Sequence, residues 1–119
     1  MRYTIKATKI ALTKEITAYI EKKMTALDKI IAHFGSAVKV CVEVERTTRH
    51  HRKGDVFRVE VQVNAPHKNM RAEAVAQTVF EAIDTVKNEM ALELERHKEK
   101  EVDLKKSGAR TMKRMMQET

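Results

Sequence analysis

Arg46, Arg49, His50, Arg52 and Lys53 crowd into the stretch 46–53, which contains no acid. Guanidinium and ammonium groups at this density suit phosphate oxygens. They lie in a polar connection, Arg46-Thr-Thr-Arg49-His50-His51-Arg52-Lys53-Gly54-Asp55, between two strand-like runs. A hairpin tip so charged can reach into a groove. The plain alternative is a solvated loop. A second cationic run, five Lys/Arg against one Glu over 104–119, favours a polyanion. Between the two, 78–103 carries four Lys/Arg and eight Asp/Glu, so the positive charge sits in a loop and a tail. No aromatic residue interleaves with these charges, which leaves no platform for base stacking. Recognition by backbone and shape, as for structured RNA, fits better.

Catalytic chemistry is poorly supplied. The sequence has no Gly-rich phosphate loop, no nucleophile elbow and no His-Glu-x-x-His, and serine occurs only at Ser36 and Ser107. Glu43, Glu45 and Glu60 share one strand face, and paired carboxylates can do acid–base work. With Lys39 and Arg58 nearby, a cross-strand charge ladder is the simpler reading. His50-His51 lacks a carboxylate or Cys close in sequence to complete a metal site. Cys41 has no local charge pattern that would activate its thiol. The chain is therefore expected not to be an enzyme and to need no cofactor or metal.

The formal charge of +7 and a pI near 9.6 point the same way, toward nucleic acid. A lone Cys cannot form an internal disulfide and fits a reducing compartment. No charged-then-apolar leader precedes the first strand, and no apolar run approaches spanning length. The expectation is a cytoplasmic protein.

The elements that must position these groups read in order. Residues 2–8 alternate, with Tyr3, Ile5 and Ala7 on one side, as a half-buried strand. Thr13 is a helix N-cap. Leu12, Ile16, Ile20, Met24, Leu27, Ile31 and Phe34 follow at helical spacing up to Gly35, predicting one amphipathic helix. Val38, Val40, Val42 and Val44, then Phe57, Val59, Val61 and Val63, alternate as two strands. A short strand over 70–74 should follow the turn at 64–68.

Thr78-Val79-Phe80-Glu81 has capping-box spacing. Val79, Phe80, Ile83, Val86, Met90 and Leu94 then form a stripe, predicting a helix over 78–106 whose charged second half projects past the core. The tail, with Met112, Met115 and Met116 on about one side, is too short to be a helix alone and is expected to order only on a partner. The fold class is α+β. It is a β-α-β-β-β-α two-layer sandwich, with a four-stranded sheet and two helices on one face. The division is 1–106 for the domain and 107–119 for the tail.

Three segments carry a family resemblance. Ile5 with Leu12-Thr13, ahead of Tyr19-Ile-Glu-Lys-Lys-Met-x-x-Leu-Asp-Lys, resembles the first helix of the ribosome hibernation-promoting factors, the ribosome-associated inhibitor family. Phe80-Glu-Ala-Ile83-Asp84 resembles the signature early in that family's last helix. Glu95-Arg96-His97-Lys98-Glu99-Lys100 resembles its basic ending. The similarity spans about 1–102. It implies a fold like the double-stranded-RNA-binding domain, a site in the mRNA and tRNA channel of the small ribosomal subunit, and a block of translation with ribosomes held intact under stress.

By matching position it implies rRNA contact through Lys22, Lys23, Lys29, Arg96, Lys98 and Lys100, with Arg71 a looser match. The charge pattern adds Arg46, Arg49, His50, Arg52 and Lys53, and, in the second cationic run, Lys105 and Lys106. The expected partners are the small subunit, its rRNA and the whole ribosome, with no membrane and no DNA. The free chain is expected to be a monomer. The chain departs from the family in mid-helix, where Glu89, Leu92, Glu93 and Glu95 stand in place of a basic face. It also ends before the second domain of long members, so self-driven pairing of ribosomes is not expected. The alternative is a general structured-RNA-binding module of the same topology.

Overall fold

The computed structural model describes residues 1–48 and 55–117. The elements run β1 (Tyr3–Thr8), α1 (Lys14–Thr25), α2 (Asp28–Ala32), β2 (Lys39–Thr48), β3 (Asp55–Ala65), β4 (Lys68–Ala76) and α3 (Val79–Gln117). The sheet order is β1-β2-β3-β4. β1 lies parallel to β2, with Ile5 opposite Val42. The other pairs are antiparallel, with Val42 opposite Val61 and Val61 opposite Ala72. The α+β architecture is the one the hydrophobic alternation predicts.

The two side-chain parities of the sheet have different fates. Val40, Val42, Val44, Val59, Val61, Val63 and Met70 are at most 4% exposed, under the helices. Ile20, Met24, Leu27, Ile83, Val86, Met90 and Leu94 meet them from the helical layer, each at 1% or less. β1 is an edge strand, so Tyr3 and Ile5 are only half-buried and Ala7 is exposed.

The first helix is two pieces, not one. Leu27 N–H donates to the Met24 carbonyl at 2.9 Å, a tightened i→i−3 turn that ends α1. Asp28 competes poorly in a helix interior but suits the positive first turn of α2. The buried stripe survives the break, because the tightened turn keeps Leu27 inward. At the start, Thr13 Oγ1 accepts the Ile16 N–H at 3.2 Å, as expected of an N-cap. At the end, Gly35 takes φ +98°, a conformation that favours glycine.

The last helix also departs from expectation. It does not stop at Lys106 but continues to Gln117. A helix already nucleated on the core extends at little cost, and 107–117 contains no Pro and one Gly among good helix formers. Leu94 is the last fully buried residue. Residues 103–116 are all exposed, so about 20 Å of helix stands beyond the core. Phe80 and Leu12 leave the predicted core stripe, at 40% and 37% exposure. Phe80 sits on the flank of α3 and meets Tyr19 edge-on, ring centroids 5.1 Å apart.

Candidate nucleic-acid interface

Two contacts fix how the helices lie. Tyr19 of α1 meets Phe80 and Asp84 near the start of α3. His33, just after α2, bonds Glu101 at 3.0 Å. The helical layer therefore runs in one direction, and its cations can be placed.

Lys22 and Lys29 are exposed on α1 and α2. Lys23 turns inward. Its Nζ lies 3.1 Å from Asp84 and 5.2 Å from the Tyr19 ring centroid, while Tyr19 donates its hydroxyl to Asp84 at 2.6 Å. These hydrogen bonds, from Tyr19 first and then Lys23, hold the Asp84 carboxyl below its usual range. The Asp84 hydrogen bond raises both the Tyr19 phenol and the Lys23 ammonium. Lys23 thus pins α1 to α3, which a pattern of lysines in sequence does not reveal.

On α3, about 100° per residue separates the cations into two strips. Lys98 and Lys105 lie on the flank that carries Phe80 and faces α1. Arg96 and Lys100 lie on the other flank. Lys100 lines a recess with His97, Glu101 and Leu104 of α3, His67 of the β3–β4 turn and Lys68 at the start of β4. Arg96 has a 72% exposed side chain and pairs with Glu93 at 3.3 Å. Between the strips, the outward ridge carries Glu81, Leu92, Glu95, Glu99 and Asp103, all exposed. The basic face of the helix is therefore split. Lys105 and Lys106 are exposed on the projecting end. Sequence reasoning passed over Lys87, which is eleven residues before Lys98 and on the same strip, and Lys68, isolated in sequence but beside Lys100. The eleven-residue spacing was the available signal for Lys87.

Arg46 is exposed near the end of β2. Arg49, His50, Arg52 and Lys53, which the sequence pattern assigns to a hairpin connection, lie outside the described residues. Arg71 is committed elsewhere. It lies on the open face of the sheet, away from the helices, 2.8 Å from both Glu60 and Glu73.

That open face is an ion-pair network built by register. Glu60 opposes Glu43 on one side and Glu73 on the other, and Arg58 opposes Glu45. Arg58 bonds Glu60 and reaches Glu73 at 3.0 Å, Glu45 at 3.5 Å and Glu43 at 3.9 Å. Glu60 also accepts from Gln62, and its side chain is 5% exposed. Hydrogen bonds from Arg71 and then Gln62 hold the Glu60 carboxyl below its usual range, and a hydrogen bond from Arg58 does the same for Glu73. The carboxylates that could have served as an acid–base pair are thus engaged in a charge ladder. Cys41 sits on this face, partly exposed. Among the described residues no three potential metal ligands cluster. No helix among them is long and apolar enough to cross a membrane.

Known proteins resemble this chain in sequence and in fold. The chain is similar to a ribosome hibernation promotion factor of Picosynechococcus sp. (strain ATCC 27264 / PCC 7002 / PR-6), at 30% identity over 100 residues. That match covers 84% of this chain and 50% of the relative, so the chain spans about half the length of the curated relative it matches. In fold it is similar to the Thermus thermophilus Protein Y N-terminal domain, with TM-score 0.59 and 22% identity over 80% of this chain and 96% of that one. It is also similar to a ribosomal subunit interface protein from Coxiella burnetii, with TM-score 0.56 and 13% identity over 80% and 97%. Residues 3–102 match the family described as Sigma 54 modulation protein / S30EA ribosomal protein, and the chain belongs to that family.

Proposed function

We propose that this chain is a non-enzymatic ribosome-binding factor that promotes hibernation by occupying the mRNA and tRNA channel of the small subunit. The observation that carries the reading is the family match across 3–102, which takes in both pinned helices and the cations Lys22, Lys29, Lys98 and Lys100. The mechanism is occlusion. A rigid body held by Lys/Arg–phosphate contacts fills space that tRNA and mRNA need, and such contacts position without reading bases. The exposed acidic ridge of α3 would face away from rRNA, with the two cationic strips gripping on either side of it. Arg46 and the hairpin residues Arg49, His50, Arg52 and Lys53 supply a further contact, and Lys105 and Lys106 extend the grip along the projecting helix. The partners are the small subunit and the whole ribosome, the compartment is the cytoplasm, and the free chain is a monomer.

The test is co-sedimentation with small subunits, whole ribosomes and an isolated RNA duplex, between 50 and 200 mM salt. Small subunits and ribosomes should bind, the duplex weakly, and affinity should fall steeply with salt. Replacing Lys22, Lys29, Lys98 and Lys100 with Ala should lower the log–log salt slope by about 3–4, near one unit per lost phosphate contact. Equal binding to the duplex would favour a general structured-RNA module. A complex indifferent to salt would refute the electrostatic grip.

A further inference from the structure

The end of α3 beyond the core has two faces. Leu104, Met112 and Met115 are 68%, 64% and 64% exposed. At about 100° per residue they continue the line of Met90 and Leu94, which the sheet covers, past the edge of the β3–β4 turn, where Leu104 borders His67 and Lys68, into a region that no other element among the described residues covers. Lys105, Lys106, Arg110, Lys113 and Arg114 surround this stripe, and 104–117 contains no acid.

Gly108 sits in the middle of the stripe, four residues from Leu104 and four from Met112. Glycine weakens a helix interior. Here it keeps ordinary helical geometry, since Gly35 alone takes positive φ among the described glycines. A Cβ built on Gly108 would meet nothing within 4 Å. Neither its conformation nor its packing among the described residues calls for a glycine there. It leaves a notch in an otherwise apolar surface.

We propose that this projecting helix is a docking element for a ribosomal protein that presents an apolar groove rimmed by carboxylates. The inference rests on the ribosome-binding reading above. RNA would use the cations but gain nothing from covering Leu104, Met112 and Met115, whereas an acid-rimmed groove takes Arg110, Lys113 and Arg114 as well as the apolar stripe, leaving Lys105 and Lys106, nearest the core, to rRNA. Methionine adapts to irregular apolar grooves, and a basic amphipathic helix seated in an acidic groove is a known mode of recognition. A lipid surface would reward Trp or Phe, which the stripe lacks. Pairing with a second copy in parallel would bring two sets of five cations together. The groove partner's side chain would seat in the Gly108 notch.

The test uses the full chain and purified whole ribosomes. Leu104, Met112 and Met115 are replaced together by Gln, which keeps every charge and good helix propensity. These side chains lie outside the core, so the thermal melt should not change. Ribosome affinity should fall roughly tenfold, as for loss of an apolar anchor. A photo-crosslinking amino acid at position 112 should label an Asp/Glu-rich peptide of a ribosomal protein. Labelling of rRNA, labelling of a second copy, no labelling, or affinity within twofold of the unaltered chain would each overturn the proposal. So would binding to phosphatidylglycerol vesicles that the triple variant loses. Failure of the unaltered chain to bind ribosomes at all would sink the ribosome reading itself, and this inference with it.

Discussion

Replacing Glu60 with Gln tests whether the open face of the sheet is scaffold or site. The change keeps the shape and removes one charge from the network. Its side chain is 5% exposed and bonds Arg58, Arg71 and Gln62. Stripping one partner from a buried pair costs about 3–5 kcal/mol when it leaves a charge uncompensated. Here it does not. Arg58 keeps Glu73 at 3.0 Å and Glu45 at 3.5 Å. Arg71 has a 58% exposed side chain and keeps Glu73 at 2.8 Å. Gln can still accept a hydrogen bond, so the expected loss is about 1–2 kcal/mol, between the net worth of a neutral hydrogen bond and that of a charged one.

In a chain of this size, that lowers the melting temperature by about 4–8 °C. The dependence on pH gives the sharper check. The folded Glu60 carboxyl lies below its ordinary range, so the unfolded chain binds more protons as pH falls through about 4. The stabilisation is complete above the unfolded pKa and is lost as pH falls through the folded one. The difference between the Glu60→Gln variant and the unaltered chain should be full at pH 7 and shrink toward zero in acid, followed by circular dichroism. A difference as large at pH 3 as at pH 7 would refute the charge-network reasoning. Ribosome binding near pH 7 should stay within twofold; its abolition would make this face a functional site.

The helix pin gives a second check. Asp84→Asn replaces the charged acceptor that raises the Tyr19 phenol with a weaker neutral one, so one of the two tyrosine steps should move down toward pH 10 in an absorbance titration. Two unchanged steps would mean that Tyr19 and Asp84 are not bonded in solution. At the start of α3, Thr78 Oγ1 accepts the Glu81 N–H at 3.1 Å. Thr78→Ala should cost about 1 kcal/mol, a fall of about 4 °C in a thermal melt, and an unchanged melt would remove Thr78 as the cap.

The alternating valines of β2 and β3, and the stripe from Ile16 to Phe34, were legible because a period of two or of 3.6 states which side of an element is apolar. The sheet order and the packing of both helices on one side follow, since each element has a single face to bury. The N-caps Thr13 and Thr78 were legible because capping is local. Three things were not. The turn at Leu27 divides α1 from α2 without disturbing the stripe, so the stripe carried no trace of it. The run of α3 to Gln117 depends on nucleation by a core that the tail never touches. The candidate cations differ most.

The sequence by itself determined that positive charge is concentrated at 46–53 and 104–119, and that helices bear lysines on their surfaces. Only the tertiary structure decided which of those charges are available. Asp84 of another helix takes Lys23, Glu60 of the neighbouring strand joins Glu73 of its own strand to take Arg71, and an acidic ridge divides Arg96 and Lys100 from Lys98. The physical reason is that an exposed cation and a neutralised one have the same sequence signature. Their difference lies in a carboxylate that packing brings within about 3 Å from a distant part of the chain.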